Sequence, residues 1–476
     1  MKRVVLTGIV YCLLSITGKA QNSVGSNLTL QQCVETAIAN NLNVLQSDLQ
    51  MQSDEIRWKQ AKLDMLPDLN GNVNHGVNQG RSIDPFTNSY INQNLTSANY
   101  GLSSGVLLFN GLSQQNTIRQ TKLTYEASQM TLQQRKDNLT INVILAYMQV
   151  LNNMDIVEQL INQSDLSKKQ VERLDVLNKE GAISPSLLSD LKGQYAGDQL
   201  SLVNARAAVE SAKLNLCQLM NIPYDKNITL EKIDVSALGA KYDESAANIY
   251  QTALEQFAMI KAVELSRQSD EKGVKVAKGR LFPILSLNGN VSTNYSNAAT
   301  SSTFINTTDV MSNDYVIVNG NQSPVFKKQN NFSTEKISYS DQLNNNRYSS
   351  LSLNLRIPIF NSFSQRNNIK LAKLQLKNSE LIEKNTKTEL QQSIEQAHLN
   401  MTTAYERQKL LEEQAEAFQE SFRAAEIRFN SGVGTSIDYL TAKNNYDRVQ
   451  INYINAKYEY VLRTKVLDYY KGEKLW

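Results

Sequence analysis

Helix breakers are missing over long stretches of this 476-residue chain. It has seven prolines, and neither proline nor glycine occurs in residues 112–180 or 361–431. Two uninterrupted helices of about 70 residues are therefore allowed, each roughly 100 Å long at ~1.5 Å per residue. Histidine is almost absent, with only His75 and His398, and there are three cysteines. No metal-type Cys/His spacing, Gly-rich phosphate loop with its lysine, or nucleophile motif is present, so no cofactor, metal or enzymatic role is expected. Cys33 and Cys217 lie in apolar helical patterns and read as small buried hydrophobes rather than a disulfide. Charge is close to balanced, 49 basic against 46 acidic side chains. No basic face is available for nucleic acid.

Long hydrophobic runs are scarce too. The longest follows Lys2-Arg3 and ends at Gly18-Lys19-Ala20. Its apolar part is shorter than the roughly 20 residues of a spanning helix, so residues 1–20 read as a secretory signal. Membrane insertion of the remainder would have to use strands.

What the chain does contain is written twice. Gln52-Ser53-Asp54-Glu55, Ala61 and Pro67 recur as Gln268-Ser269-Asp270-Glu271, Ala277 and Pro283, offset by 216. Phe109-Asn110, Ser113-Gln114, Asn116 and Ile118 recur as Phe360-Asn361, Ser364-Gln365, Asn367 and Ile369, offset by 251. The second copy thus holds 35 extra residues between Pro283 and Phe360. Such a period is too long for a solenoid and points to two pseudo-symmetric halves, 21–244 and 245–476.

In each half a helix is expected first, then a strand hairpin (about 67–109 and 283–360), then a coiled-coil hairpin (110–222 and 361–471). Residues 223–244 would connect the halves. The coiled coils rest on periodicity. Leu390, Ile394, Ala397, Met401, Ala404, Gln408, Leu411, Ala415, Phe418, Phe422, Ala425 and Phe429 step by four and three. A weaker seam runs in the same register from Leu139 to Asn178. Strict sevens follow: Tyr439, Tyr446, Tyr453, Tyr460 and Leu467, matched by Leu188, Tyr195, Leu202, Val209 and Leu216. Sustained heptads mean left-handed coiled-coil packing, and Gly181, Gly432 and Gly434 mark the reversals.

The strand segments alternate instead. Leu351, Leu353, Leu355, Ile357 and Ile359 are interleaved with Ser352, Asn354, Arg356 and Pro358. Residues 75–97 and 296–346 read as polar connections, the latter a long loop holding most of the insertion. Segments of nine to eleven residues, apolar on one side, suit a membrane barrel. Four strands cannot close one, and an open edge in lipid would leave backbone groups unpaired, so other copies of the chain must complete it.

A signal, duplicated halves, one strand hairpin per half and two long coiled-coil hairpins together resemble the TolC-like outer-membrane efflux proteins. The local marks are Ala277-x5-Pro283, Ile359-Phe360-Asn361 and Arg428-Phe429-Asn430-Ser431-Gly432. The fold implied is mainly α with a membrane β part: a homotrimer whose twelve strands form one outer-membrane β-barrel in lipid, its helices continuing as an α-helical barrel through the periplasm. The function implied is an exit duct passing small molecules from an inner-membrane transporter and its periplasmic adaptor. A protein-secretion duct and a non-conducting coiled-coil or surface protein are the alternatives.

The same resemblance places adaptor docking at the helical tips, through Gly181, Ala182, Ile183 and Ser184 and through Arg428, Phe429, Gly432, Val433 and Gly434. It also places a gate just beyond. The family's first tip aspartate falls on Asp438 and its second on Thr441; in the first half Leu187 and Asp190 take those positions. Asp190 and Asp438 would form cation-favouring rings in a trimer, or else are solvated helix-start residues favoured by the helix dipole.

Overall fold

The computed structural model describes residues 27–83, 88–92, 94–233 and 241–473; the expected signal, 1–20, lies outside them. Two compact units result. One comprises residues up to Asp54 with Thr124–Arg267 and those from Ser379 onward; the other is Glu55–Leu123 with Gln268–Asn378. Each unit draws on both sequence halves.

The duplication is reproduced in the helix ends. Helices α1 (Leu30–Asn40) and α2 (Leu42–Leu63) have counterparts α5 (Ala246–Gln256) and α6 (Ala258–Gly279), every boundary 216 residues later. Helices α3 (Ser113–Lys179) and α4 (Pro185–Met220) recur as α8 (Ser364–Asn430) and α9 (Ser436–Lys471), every boundary 251 later. Local chemistry fixes these ends. Thr29 caps α1 in a reciprocal box with Gln32, and Ser245 caps α5 by accepting from the Asn248 amide. All twelve seam positions from Leu390 to Phe429 are buried or half-buried. So are the heptad positions of α4 and α9.

In the first unit the short parallel pair β1 (Asn27–Leu28) and β6 (Thr229–Leu230) joins the start of the chain to the 223–244 connector. Tyr147 of α3 is completely buried beneath it, its hydroxyl 2.8 Å from the Glu231 carbonyl and 3.1 Å from that of Leu28. Cys33 and Cys217 are free thiols in this core, and burial, with Cys217 adding to it, pushes the Cys33 thiol up to about 12. Burial raises the Cys217 thiol as well, which favours the less reactive protonated form at both. A second core joins α5 and α6 to the middle of α8 and the end of α9 through Ile249, Ile260, Ile394 and Tyr460.

The second unit holds an antiparallel sheet in the order β10-β7-β5-β2. Its strands are β2 (Asn70–Asn78), β5 (Leu95–Phe109), β7 (Ile284–Ser296) and β10 (Tyr348–Arg356). The segment 75–97, read as a connection, is partly strand: His75 pairs with Ala98 and Gly76 with Ser97. Ladder hydrogen bonds come from the backbone, so a polar side chain facing water does not end a strand. A short pair, β3 (Arg81–Ile83) and β4 (Tyr90–Asn92), lies in the same segment.

The segment 296–346, read as a polar loop, is instead a long β-ribbon followed by a short helix. Its strands β8 (Thr300–Val318) and β9 (Asn321–Lys336) pair almost throughout, and α7 (Tyr339–Asn345) leads into β10. Two bulges, at Phe304/Asn306 and Met311/Tyr315, interrupt the alternation of β8 and hid it in the sequence.

Candidate functional site

The four-stranded sheet has two unlike faces. Across β10, β7 and β5, Leu353, Leu287 and Val106 are registered side by side. Two residues on in β10 and β7, Leu355 and Leu285 follow, with Phe109 brought beside them by a bulge in β5, and Val291 pairs with Leu102. The intervening positions carry Ser352, Asn288 and Gly105, then Ser350, Asn290, Ser103 and Asn70. Paired residues share a face and neighbours along a strand alternate, so one face is aliphatic and the other is Asn, Ser and Gly. The aliphatic face is uncovered, with Leu351, Leu353 and Leu355 all more than half exposed. Strands β2 and β10 are nine residues each, about 30 Å at ~3.3 Å per residue, which when tilted fits an apolar band of ~25 Å. Both are edge strands of this sheet.

In the helical unit the two hairpin tips have one construction. Gly181 (φ +72°) ends α3: its amide donates to the Asn178 carbonyl, and that of Ala182 donates to Leu177. Gly432 (φ +75°) ends α8 with the same pair of bonds, from Gly432 to Phe429 and from Val433 to Arg428. Both are Schellman motifs, whose left-handed residue favours glycine. Ser184 and Thr435 then cap α4 and α9, accepting from the amides of Leu187 and Asp438.

The tips differ in what they expose. Val433 is 82% exposed and Ile437 is also outside, whereas Ile183 is half-buried beside Leu177 and Leu187. Ala182, Ser184 and Arg428 are exposed, and Phe429 is half-buried against Tyr439. Gly434 presses on α8, where an added Cβ would stand 3.0 Å from the Phe429 nitrogen. Arg173 of α3 donates to the side chain and carbonyl of Asn430, so the first hairpin holds the end of the second.

Asp190, Asp438 and Thr441 are all exposed. Asp438 stands at the third position of α9, where the Thr435 hydroxyl donates to its carboxylate at 2.7 Å. That is a helix-cap arrangement, and it accounts for an aspartate here without any gate.

Sequence reasoning missed a buried ionic cluster near the tips. Lys443 of α9, 1% exposed, donates to Asp198 of α4 at 3.0 Å and to Asp447 at 2.5 Å. Asp198 also accepts from Gln194 at 2.9 Å and from the Ser167 hydroxyl of α3. Burial raises the Asp447 carboxyl above the usual range, Lys443 pulling the other way. The available signal was a polar pair, Ser167 and Asp198, at positions where the second half has Phe418 and Val449.

The family model for outer membrane efflux proteins matches residues 33–222 and 249–470. The chain belongs to that family. The two matched stretches are the two repeats. Solved structures of family-like channels share the fold. CusC is 14% identical with a TM-score of 0.74 over 94% of this chain and 92% of its own. The Campylobacter jejuni CmeC outer membrane channel is 16% identical with a TM-score of 0.73, covering 93% and 85%. The open-state Neisseria gonorrhoeae MtrE outer membrane channel is 15% identical with a TM-score of 0.70, covering 93% and 88%. No curated protein matches the chain. Among the described residues of this efflux protein no helix is long and apolar enough to cross a membrane.

Proposed function

We propose that the chain is the passive exit channel of an efflux system, three copies closing a twelve-stranded barrel in the outer membrane. One observation carries this reading: a sheet aliphatic on one face, Asn- and Ser-lined on the other, with both edge strands free. Lipid accepts such a sheet only if the edges are paired, and joining β10 of one copy to β2 of the next pairs them all. The polar face would then line the lumen. Residues 1–20 would direct export, and each half, 21–244 and 245–476, would give the trimer one strand hairpin and one coiled-coil hairpin reaching into the periplasm.

Conduction needs no catalyst, and the protein acts as a conduit rather than an enzyme. A periplasmic adaptor and an inner-membrane transporter would supply cargo at the helical tips, with Val433 and Ile437 as exposed apolar contacts beside Gly432 and Gly434, and Ile183 beside Gly181 on the other tip. Asp190 and Asp438 would ring the entrance, with Thr441 beside them.

The test is native mass after detergent extraction of outer membranes, followed by conductance in planar bilayers. A cation-preferring trimeric channel is expected. A monomer, or recovery without detergent, would leave four strands unable to close and overturn the reading. Asp438→Ala is expected to reduce cation preference; unchanged preference would leave Asp438 as a helix cap only.

A further inference from the structure

The β8–β9 ribbon is amphipathic in a way its polar composition conceals. Its register puts Phe304 opposite Phe332, Met311 opposite Phe326, Tyr315 opposite Pro324 and Ile317 opposite Gln322. The β9 members of these pairs are all even-numbered, so all four pairs lie on one face, with Thr307–Asn330 and Asp309–Lys328 between the first two. Every aromatic side chain of the ribbon is there, and Phe304, Met311, Tyr315, Ile317, Phe326 and Phe332 are each more than half exposed. The opposite face has valines but no aromatic, and it carries a polar ladder in which the Asn331 amide donates to Asn306 at 2.9 Å and Thr308 at 3.0 Å. A ribbon about 50 Å long and ~10 Å wide presents roughly 500 Å² on that face, and Met311–Phe326, Tyr315–Pro324 and Ile317–Gln322 make its outer end largely apolar. An isolated two-stranded ribbon is also marginal in water without a partner on its apolar side.

The root of the ribbon is built to aim it. Gln342, 1% exposed, accepts from the Ser296 amide and donates to the Ser296 and Ile337 carbonyls at 3.0 and 2.9 Å. Tyr295 packs on Tyr339, their ring centres 4.6 Å apart, and the Tyr339 and Tyr100 hydroxyls are 2.5 Å apart. The ribbon therefore leaves the sheet in a set direction, between β7 and the edge strand β10. In the trimer proposed above, on which this inference rests, β10 is where the neighbouring copy joins, so the ribbon rises at the seam between copies. Its charges cancel: Asp309, Asp314 and Glu335 against Lys327, Lys328 and Lys336, with Asp309 directly opposite Lys328. Copies can approach without repulsion, and no basic excess is present to select anionic lipid headgroups.

We propose that the ribbon is an inter-subunit arm whose aromatic face packs against adjacent copies of this chain, tying the trimer together beyond the barrel. The Ile337 amide donates to the Ala299 carbonyl at 3.2 Å, so residues 300–336 can be replaced by an Asn-Gly turn without straining the root. The measurement is the temperature at which the detergent-extracted trimer dissociates on electrophoresis. The shortened chain is expected to dissociate at least about 10 °C lower, as is the triple variant Phe304→Ser, Phe326→Ser, Phe332→Ser, which keeps the ribbon. In a second experiment p-benzoylphenylalanine replaces Phe326, and irradiation should yield a product of two or three copies of this chain. A trimer whose dissociation temperature is unchanged by both variants would overturn the arm and leave the barrel reading intact. Photoproducts only with lipid or with another protein would do the same. A native chain that is not trimeric at all would remove the barrel reading and the arm with it.

Discussion

The two coiled-coil hairpins share every boundary and differ along the seam. In the second, aromatic rings close the space between α8 and α9. Phe429 stacks on Tyr439 at 4.8 Å, Phe422 on Tyr446 at 5.6 Å, and Phe422 also meets Tyr439 at 5.7 Å. The first hairpin has Asn178, Val171, Leu188 and Tyr195 at those places, and where the second has Phe418 and Val449 it has the hydrogen-bonded pair Ser167 and Asp198. The second hairpin zips itself. The first carries a buried carboxylate that a lysine of the second satisfies. Equal backbone geometry thus comes from caps and breakers, while seam chemistry decides how much each hairpin depends on the other.

The largest break in this comparison is Lys443→Met, which strands the buried Asp198 carboxylate and leaves the half-buried Asp447 without its lysine. Unpairing a buried charge costs about 3–5 kcal/mol. The denaturation midpoint at neutral pH should fall accordingly, and adding Asp198→Val and Asp447→Ala should recover most of the loss. Next comes Phe422→Ala, expected to cost about 3 kcal/mol, against about 1 kcal/mol for Val171→Ala at the equivalent place. Equal losses in chemical unfolding would deny the aromatic zipper its special role.

A smaller effect separates the hairpins by pH. Burial raises the folded-state value of Asp447, so its stability contribution is full below the ordinary carboxylate range and is lost as pH rises through the raised value. Unfolding of the wild type and Asp447→Asn, followed from pH 7 downward, should therefore show the wild type gaining relative to the variant. A gap independent of pH would mean the carboxyl titrates normally. The smallest expected change is at the caps. Thr435→Ala should lose about 1 kcal/mol. Ser184→Ala should lose less, because its bond to Leu187 is longer, 3.4 Å, and Pro185 already fixes the first turn.

Much of this was legible in the residues. The glycine- and proline-free stretches became two 67-residue helices, and the four-three seam ending at Phe429 is buried or half-buried along its length. The alternation at Leu351–Ile359 became an edge strand as far as Arg356, and Ile357 and Ile359 lie beyond its end. The ribbon was illegible because the bulge at Phe304/Asn306 moves the aromatic face from even to odd positions of β8 and because Asn, Ser and Thr are its commonest residues. At the candidate gate, the aspartate position was legible. Its role as partner to the Thr435 hydroxyl required the geometry of the first helical turn.

By itself the sequence determined where the long helices begin and end. Capping hydroxyls, a left-handed glycine and the absence of breakers act within one helical turn, so they are encoded a few residues apart and recur at fixed offsets. Only the tertiary structure decided which seam positions face one another across hairpins. Lys443 meets Asp198 from 245 residues away, and nothing local to either residue specifies the other. The pairing follows from how four helices set their heptads side by side, and the same holds for the register that gathers the ribbon's aromatics onto one face.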